Sequence, residues 1–189
     1  RPAYYDVLDS DSGQVRNAAL IMGDTQVNIG RDRTYIYKID LLGVESVKPG
    51  LTGLPGDNGA AWKLHLGAEE ERLWCDDCLV ARFQGDIGYG RQLSENLFSA
   101  VYVGGALQND RADQGFGYAK TSANLILRQS DRFGVNLGFE YRFPVGSKLE
   151  SYGVTNLVAR WSIGSRSDFR ISYERDGAEL LMVGIGMYW

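Results

Sequence analysis

The sequence predicts an all-β fold: a closed antiparallel up-and-down transmembrane β-barrel of about ten strands, with eight or twelve as alternatives. Apolar and polar residues alternate with a period of two in segment after segment, which is typical of strands with two different faces. All four Pro residues are interpreted as lying outside these segments, as backbone ladders require. The last twelve residues form an apolar strand, which would be an exposed edge unless the sheet closes on itself.

Composition and length argue against several other classes of protein. The chain has 189 residues, enough for one domain, and its net charge of -4 does not suggest a nucleic-acid-binding surface. No apolar run reaches the 18 or so residues of a membrane-spanning helix. The opening residues lack the pattern of a signal peptide, so we interpret the sequence as a mature chain or an excised domain.

Taken in order, residues 1–18 are predicted to be an entry segment and residues 19–189 the barrel. Residues 30–33 are a predicted turn, and the Gly- and Pro-rich stretch at 47–59 is a longer connection. The predicted strands are Ala19–Ile29, Tyr35–Leu41, Trp62–Ala68, Ala81–Tyr89, Leu97–Leu107, Gly117–Leu127, Phe133–Phe143, Leu157–Ile163, Phe169–Tyr173 and Ala178–Trp189.

A short repeat marks one end of the barrel. Ser94-Glu95-Asn96-Leu97, Ser130-Asp131-Arg132-Phe133 and Ser167-Asp168-Phe169 each precede an alternating strand, at intervals of 36 and 37 residues. Two strands and two turns fill each interval, so the repeating unit is a hairpin and all three turns are expected at the same end.

The direction of the apolar face separates a membrane barrel from a soluble one. In the strand at 133–143, Val135, Leu137 and Phe139 alternate with Asn136 and Glu140. A lipid-facing apolar set is favoured, because the polar set contains many Gly, aromatic residues lie near strand ends, and tilted strands of ten residues span about 25 Å. A soluble all-β domain with the apolar set inside remains the alternative.

The predicted interior is polar and filled by side chains. A barrel of about ten strands is scarcely wider than the eight-stranded kind whose side chains fill it, and a buried charge requires a partner. A pore or a solute site remains open, as does an enzyme using the single His. No nucleophile motif accompanies that His, so we predict no catalytic, cofactor-binding or metal-ligating residue. The predicted interior polar residues are His65, Arg82, Asp86, Glu140, Arg142, Arg160, Arg170 and Glu174.

The C-terminal strand resembles a known signal. Gly184, Met187 and the terminal Trp189 look like the C-terminal signal of bacterial outer-membrane β-barrels. The resemblance implies a Gram-negative outer membrane, contact with its lipid and lipopolysaccharide, and recognition of this strand by the barrel assembly machinery. The three repeated turns would then face the periplasm.

The N-terminal part carries a second resemblance. Arg1-Pro2-Ala3-Tyr4-Tyr5-Asp6-Val7-Leu8-Asp9 and Tyr37-Lys38-Ile39-Asp40-Leu41-Leu42 are similar to the C-terminal barrel of Gram-negative proteins with a papain-like, lipoprotein N-acyltransferase (Lnb)-type periplasmic domain. Nothing here corresponds to the papain-like half, so no catalytic residue is carried over. The resemblance implies a membrane anchor or scaffold for a periplasmic domain or partner.

Two acidic and cysteine-containing stretches complete the candidate features. Cys75 and Cys78 are a candidate disulfide in an oxidising envelope, with free thiols or a functional redox or metal role as alternatives. Glu69-Glu70-Glu71 with Asp76 and Asp77 predicts an acidic loop, either solvated or binding a divalent cation that bridges to lipopolysaccharide.

Overall fold

The computed structural model describes residues 3–5, 8, 18–29, 34–47, 59–71, 78–109, 115–164, 167–177 and 179–187. Its regular structure consists of strands, and no helix in this part of the chain has the length and apolar character needed to span a bilayer. The strands are β1 Ala3–Tyr5, β2 Ala18–Ile29, β3 Thr34–Val47, β4 Ala60–Glu71, β5 Cys78–Ser94, β6 Leu97–Gln108, β7 Gly117–Ser130, β8 Phe133–Val145, β9 Tyr152–Gly164, β10 Ser167–Arg175 and β11 Glu179–Met187.

Each strand pairs with the next in an antiparallel ladder, so the predicted all-β, up-and-down order is confirmed. Ten strands, β2 to β11, are at least nine residues long, whereas β1 has three. The strands β2 to β10 extend beyond the predicted alternating segments. One placement was wrong: Pro144 lies within β8, opposite Tyr118, although only one residue before the strand ends.

The repeated Ser residues lie at strand ends on one end of the sheet, which we call the short-turn end: Ser94 ends β5, Ser130 ends β7 and Ser167 begins β10. The hydroxyl of Ser130 accepts hydrogen bonds from the backbone N–H groups of Arg132 and Phe133. Such a bond satisfies donors that the ladder leaves free at a reversal of the chain. The opposite end, where β2, β4, β6, β8 and β10 finish, is the loop end.

The outer face of the sheet is apolar. Leu137 and Phe139 are 43% and 51% exposed, whereas Asn136 and Glu140, on the other face, are half-buried. Aromatic pairs flank this band on β8, with Phe133 against Trp161 towards the short-turn end and Tyr141 against Phe143 towards the loop end. Other exposed apolar residues are Val27, Ile36, Phe83, Ile87, Val101, Val103, Leu107, Leu157, Ile163, Ile171, Leu181, Val183 and Ile185.

Irregular pairing reverses this pattern at Ile36 and Tyr37 of β3. The β2–β3 register shifts between Gln26 and Val27, and Tyr37 falls at the shift without a partner in β2. Tyr37 belongs to the apolar set of the predicted strand Tyr35–Leu41, and that set was expected to face outward. Tyr37 is buried, and Ile36 is exposed instead. A bulge adds a residue to one strand and so changes which side chains point to each face. The outward prediction was therefore wrong here.

An apolar layer fills the concave side towards the short-turn end. It accounts for the weak alternation of β6 and β7, because both faces of these strands carry apolar residues there. Leu8, in the predicted entry segment, joins this layer and lies where a Cβ on Gly134 of β8 would be 3.0 Å from its Cδ2. The layer consists of Leu8, Ala19, Ala61, Phe98, Ala100, Tyr102 and Ile126, with Val158 packed against it.

The sheet curls strongly but stays open. Its order runs from β1 to β11, and no ladder in the described ranges joins β1 or β2 to β11. The prediction of a closed ring is therefore wrong for this structure. The reason is local: β1 pairs with Leu20–Met22 of β2, on the edge that β11 would need. We call the gap between this edge and β11 the seam.

The division into an entry segment (1–18) and a barrel (19–189) stays a prediction. β1 and Leu8 both belong to the predicted entry segment, yet β1 pairs with β2 and Leu8 packs inside the curl.

Candidate functional site

The polar interior is the candidate site, and the strand register builds it. One row across the sheet joins Lys63 to Asp86, then to Gly104, Lys120 and Arg142 on successive strands. The ladders place Lys63 beside Asp86, and they place the two cations Lys120 and Arg142 side by side. Glu140 pairs with both of these cations and so compensates their like charge. A Cβ on Gly104 would lie 2.2 Å from Asp86 Oδ1, so the glycine leaves the space that the carboxylate occupies.

Lys120 lies at the centre of this row and is only 4% exposed. Its ammonium group is 3.1 Å from Asp86 Oδ2 and 2.9 Å from Glu140 Oε2, and it donates a hydrogen bond to Gln84. Two carboxylates and an amide oxygen thus compensate a charge that would be very costly alone. Sequence reasoning missed Lys120, because the apolar residues on both faces of β7 obscure its parity; its position two residues after Tyr118 was the available signal.

Two arginines extend the network towards the loop end. Arg142 pairs with Glu140, donates to the Tyr152 hydroxyl and stacks over the Tyr118 ring at 4.8 Å. Arg82 pairs with Glu69 at 3.4 Å and donates to Gln108. Planar guanidinium groups can bond and stack at the same time, which suits a crowded interior.

The acidic loop prediction is wrong for Glu69 to Glu71. These residues belong to β4, and Glu69 is an interior partner of Arg82. Asp76 and Asp77 lie outside the described residues.

Side chains cross the interior between strands that are not neighbours. Tyr102 of β6 donates a hydrogen bond of 2.8 Å to Glu45 of β3, and the same carboxylate is 3.1 Å from the Lys63 ammonium. Lys63 also lies over the Tyr102 ring, 4.2 Å from its centre. These contacts connect β3, β4 and β6 across the concave side of the sheet.

His65 forms a smaller group with β3. Its Nε2 is hydrogen-bonded to Asp40 Oδ1, and the Lys38 ammonium lies 3.6 Å from the same oxygen. The other ring nitrogen, Nδ1, is buried and has no hydrogen-bond partner among the described residues. A carboxylate can orient a His, but nucleophilic catalysis also needs a hydroxyl or thiol in contact with the ring. In the part of the chain that the structure describes, no hydroxyl or thiol is hydrogen-bonded to the His65 ring.

Asp168 holds a second ionic cluster near the short-turn end. It is completely buried, accepts hydrogen bonds from Arg160 and Arg170, and is 2.8 Å from Arg170 Nη2. Sequence reasoning assigned Asp168 to the repeated turn only. Its two-residue spacing from Arg170, on the same face of β10, was the missed signal.

The eight predicted interior residues therefore fall into separate groups. Asp86 and Glu140 pair with Lys120, Arg142 pairs with Glu140, and Arg82 pairs with Glu69. Arg160 and Arg170 share Asp168; His65 binds Asp40; and Glu174 accepts a hydrogen bond from Tyr37 at 3.2 Å. This last bond links β10 to β3 across the seam. Any functional role for these residues stays a prediction.

The remaining candidate residues are the two cysteines and the C-terminal signal residues. Cys78 begins β5, but Cys75 lies outside the described residues, so their disulfide stays a prediction. Gly184 and Met187 belong to β11, and Trp189 lies outside the described residues. Within the described ranges, no group of three His, Cys, Asp or Glu side chains is placed to hold a metal ion.

Comparison with known proteins gives one match. The family model described as Domain of unknown function (DUF7840) matches residues 1–181. No curated protein matches, and no solved structure matches. Because the family model covers nearly the whole sequence, this chain belongs to the DUF7840 family.

Proposed function

We propose that this domain lies in the outer membrane as a lipid-embedded curled sheet with a filled interior. It would act as an anchor or scaffold for a periplasmic domain or partner. The observation that carries the proposal is the inverted distribution of polarity. Apolar side chains such as Leu137 and Phe139 face outward, whereas Lys120 and Asp168 are buried. A sheet surrounded by water has the opposite arrangement, and a lipid-facing sheet has this one.

The aromatic pairs support the same proposal. Phe133 and Trp161 lie towards one end of the apolar band, and Tyr141 and Phe143 towards the other. Aromatic residues are enriched where strands leave the hydrocarbon for the headgroups. The C-terminal signal residues described above further favour the outer membrane over other bilayers.

Cell fractionation tests the membrane assignment. We expect the full chain in a Gram-negative host to sediment with outer membranes and to resist extraction by alkaline carbonate. A native barrel-like fold should also change its gel mobility on heating in detergent. Recovery of folded protein from the soluble fraction would contradict the proposal.

The filled interior favours a scaffold over a pore. The bonds from Tyr102 to Glu45 and from Lys120 to Gln84 each join strands that are not adjacent. We expect the purified protein in planar bilayers to give no discrete conductance steps. Regular steps that disappear with the protein would contradict the filled interior.

We further propose an Lnb-type periplasmic domain as the partner that this curled sheet supports. The support is the resemblance at residues 1–9 and 37–42. Immunoblotting of native cells with an antibody against the barrel tests it. A band larger than these 189 residues, with a papain-like domain identified by mass spectrometry, is expected. A band of this size alone, with no associated papain-like protein, would contradict it.

A further inference from the structure

The two edges of the sheet form an unfilled strand-pairing surface. β1 covers β2 only at Leu20–Met22, and no described strand pairs with residues 25–29 on that edge. On the other side of the seam, β10 is the one strand among the described residues that pairs with β11. Each edge is a row of backbone donors and acceptors that can accept another strand. In lipid such rows are especially unfavourable, and in this respect the inference rests on the proposed function.

Strand direction identifies the partner of the β2 edge. β2 and β11 are the first and last of ten consecutive antiparallel strands, so they run in opposite directions. Pairing between them is therefore the ordinary antiparallel kind. β1 is antiparallel to β2, and β11 is antiparallel to β10. Since β2 and β10 run in the same direction, β1 runs parallel to β11. β1 and β11 thus compete for one edge, and only β11 closes a ring with an even number of strands.

A hydrogen bond between side chains already connects the two sides of the seam. Tyr37 of β3 and Glu174 of β10 belong to the strands next to the two edges, and their hydrogen bond crosses the seam near the loop end. The outer apolar band also reaches both edges, with Val27 on β2 and Leu181 on β11 exposed. Continuous lipid-facing surface on both sides favours direct contact of these edges.

We propose that β11 pairs with residues 25–29 of β2 and then extends this ladder towards the short-turn end, where it displaces β1. The open structure is one state of this exchange, with β1 bound to β2. The closed state is a ten-stranded ring with β1 released. β1 is suited to exchange, because its ladder has only three residue pairs.

Engineered disulfides test the exchange. In the full chain with Cys75→Ser and Cys78→Ser, Val27→Cys is combined with Leu181→Cys or, to cover a second register, with Val183→Cys. We expect intramolecular cross-linking by a mild oxidant in detergent and in membranes. Replacing both Tyr4 and Tyr5 by Pro should raise the yield of the cross-linked product. Successive N–H groups of a strand point to opposite sides, so one of these two donates a hydrogen bond to β2, and Pro removes it. Loss of the three residue pairs between β1 and β2 should raise the ratio of closed to open molecules about tenfold.

Matched pairs make the outcome decisive. Ile171→Cys with Val183→Cys joins direct partners on β10 and β11 and should cross-link in every state. Val27→Cys with Phe139→Cys, on β8, should not. If the seam pairs cross-link no better than this negative control while the positive control does, the exchange is overturned. Cross-linking into dimers would overturn it too, in favour of a second copy. Membrane fractionation of the same variants reports on the proposed function separately.

Discussion

Asp168 shows how strongly one interior residue constrains this protein. Its carboxylate serves two guanidinium groups, from Arg160 and Arg170, where no solvent reaches. Removing one partner from a buried ionic cluster leaves charge without compensation, and this costs more than the whole cluster contributes.

Replacing Asp168 by Asn should therefore lower the free energy of unfolding by about 3–5 kcal/mol. Urea unfolding in detergent, followed by tryptophan fluorescence, measures this change. Glu179→Gln is the control, because this exposed residue forms only a surface pair with Arg175. Its effect should stay within about 0.5 kcal/mol. Equal effects of the two variants would contradict the buried cluster.

Gly104 makes a second prediction at this scale. A Cβ there would lie 2.2 Å from both Asp86 Oδ1 and the Gly85 carbonyl oxygen, so Gly104→Ala should cost roughly 1–3 kcal/mol. Gly85, which pairs with Gly105 in the β5–β6 ladder, has open space around the same atom, so Gly85→Ala should be close to neutral. The same unfolding measurement compares them. A neutral Gly104→Ala would mean that the backbone yields easily at this site.

Single residues were predictable where a strand alternates cleanly. Glu140 and Arg142 stand out in β8 because every second residue there is apolar. Lys120 does not, because β7 carries apolar residues on both faces. No local pattern reveals that Lys120 and Glu140 meet, since only the register between β7 and β8 places them together.

At the scale of elements, strand identity follows from the period of two, but bulges do not. The register shift beside Val27 turns Tyr37 inward, and it leaves no mark in the sequence that alternation can detect. Similarly, the three pairs of β1 with β2 come from residues without alternation. These features depend on how the sheet curls, and a one-dimensional pattern does not contain that information.

The entry segment contributes packing that can be measured. Leu8 is buried in the apolar layer against Gly134, so Leu8→Ala should reduce the free energy of unfolding by about 2–4 kcal/mol. Leu93→Ala is the control, since Leu93 is 55% exposed at the end of β5, and it should cost less than about 1 kcal/mol. Chemical denaturation in detergent tests both. If the two variants unfold alike, Leu8 does not belong to the core.

At the scale of the whole molecule, an apolar exterior around a charged interior predicts a dependence on depth in the bilayer. Leu137→Arg, near the middle of β8, should destabilise the protein in lipid vesicles by about 2–4 kcal/mol. Leu93→Arg, near the short-turn end, should cost about 0–1 kcal/mol. Reversible unfolding from vesicles in denaturant compares them. Equal costs would indicate that Leu137 does not face hydrocarbon.

The overall order of strands was predictable from alternation and turn spacing, whereas the open seam was not. Whether β11 pairs with β2 depends on its competition with β1 for one edge of β2. The number of strands in the sequence does not reveal which of the two pairings is more stable.

The contact between Leu8 and Gly134 also bears on how the protein is made. Leu8 emerges before every long strand, yet the surface on which it rests belongs to β8, much later in the chain. This early residue must wait for most of the sheet to be synthesised and arranged, and contacts so distant along the chain make folding slow. Nascent molecules therefore pass through a stage in which Leu8 is exposed, when a chaperone or protease has its best opportunity to act on them.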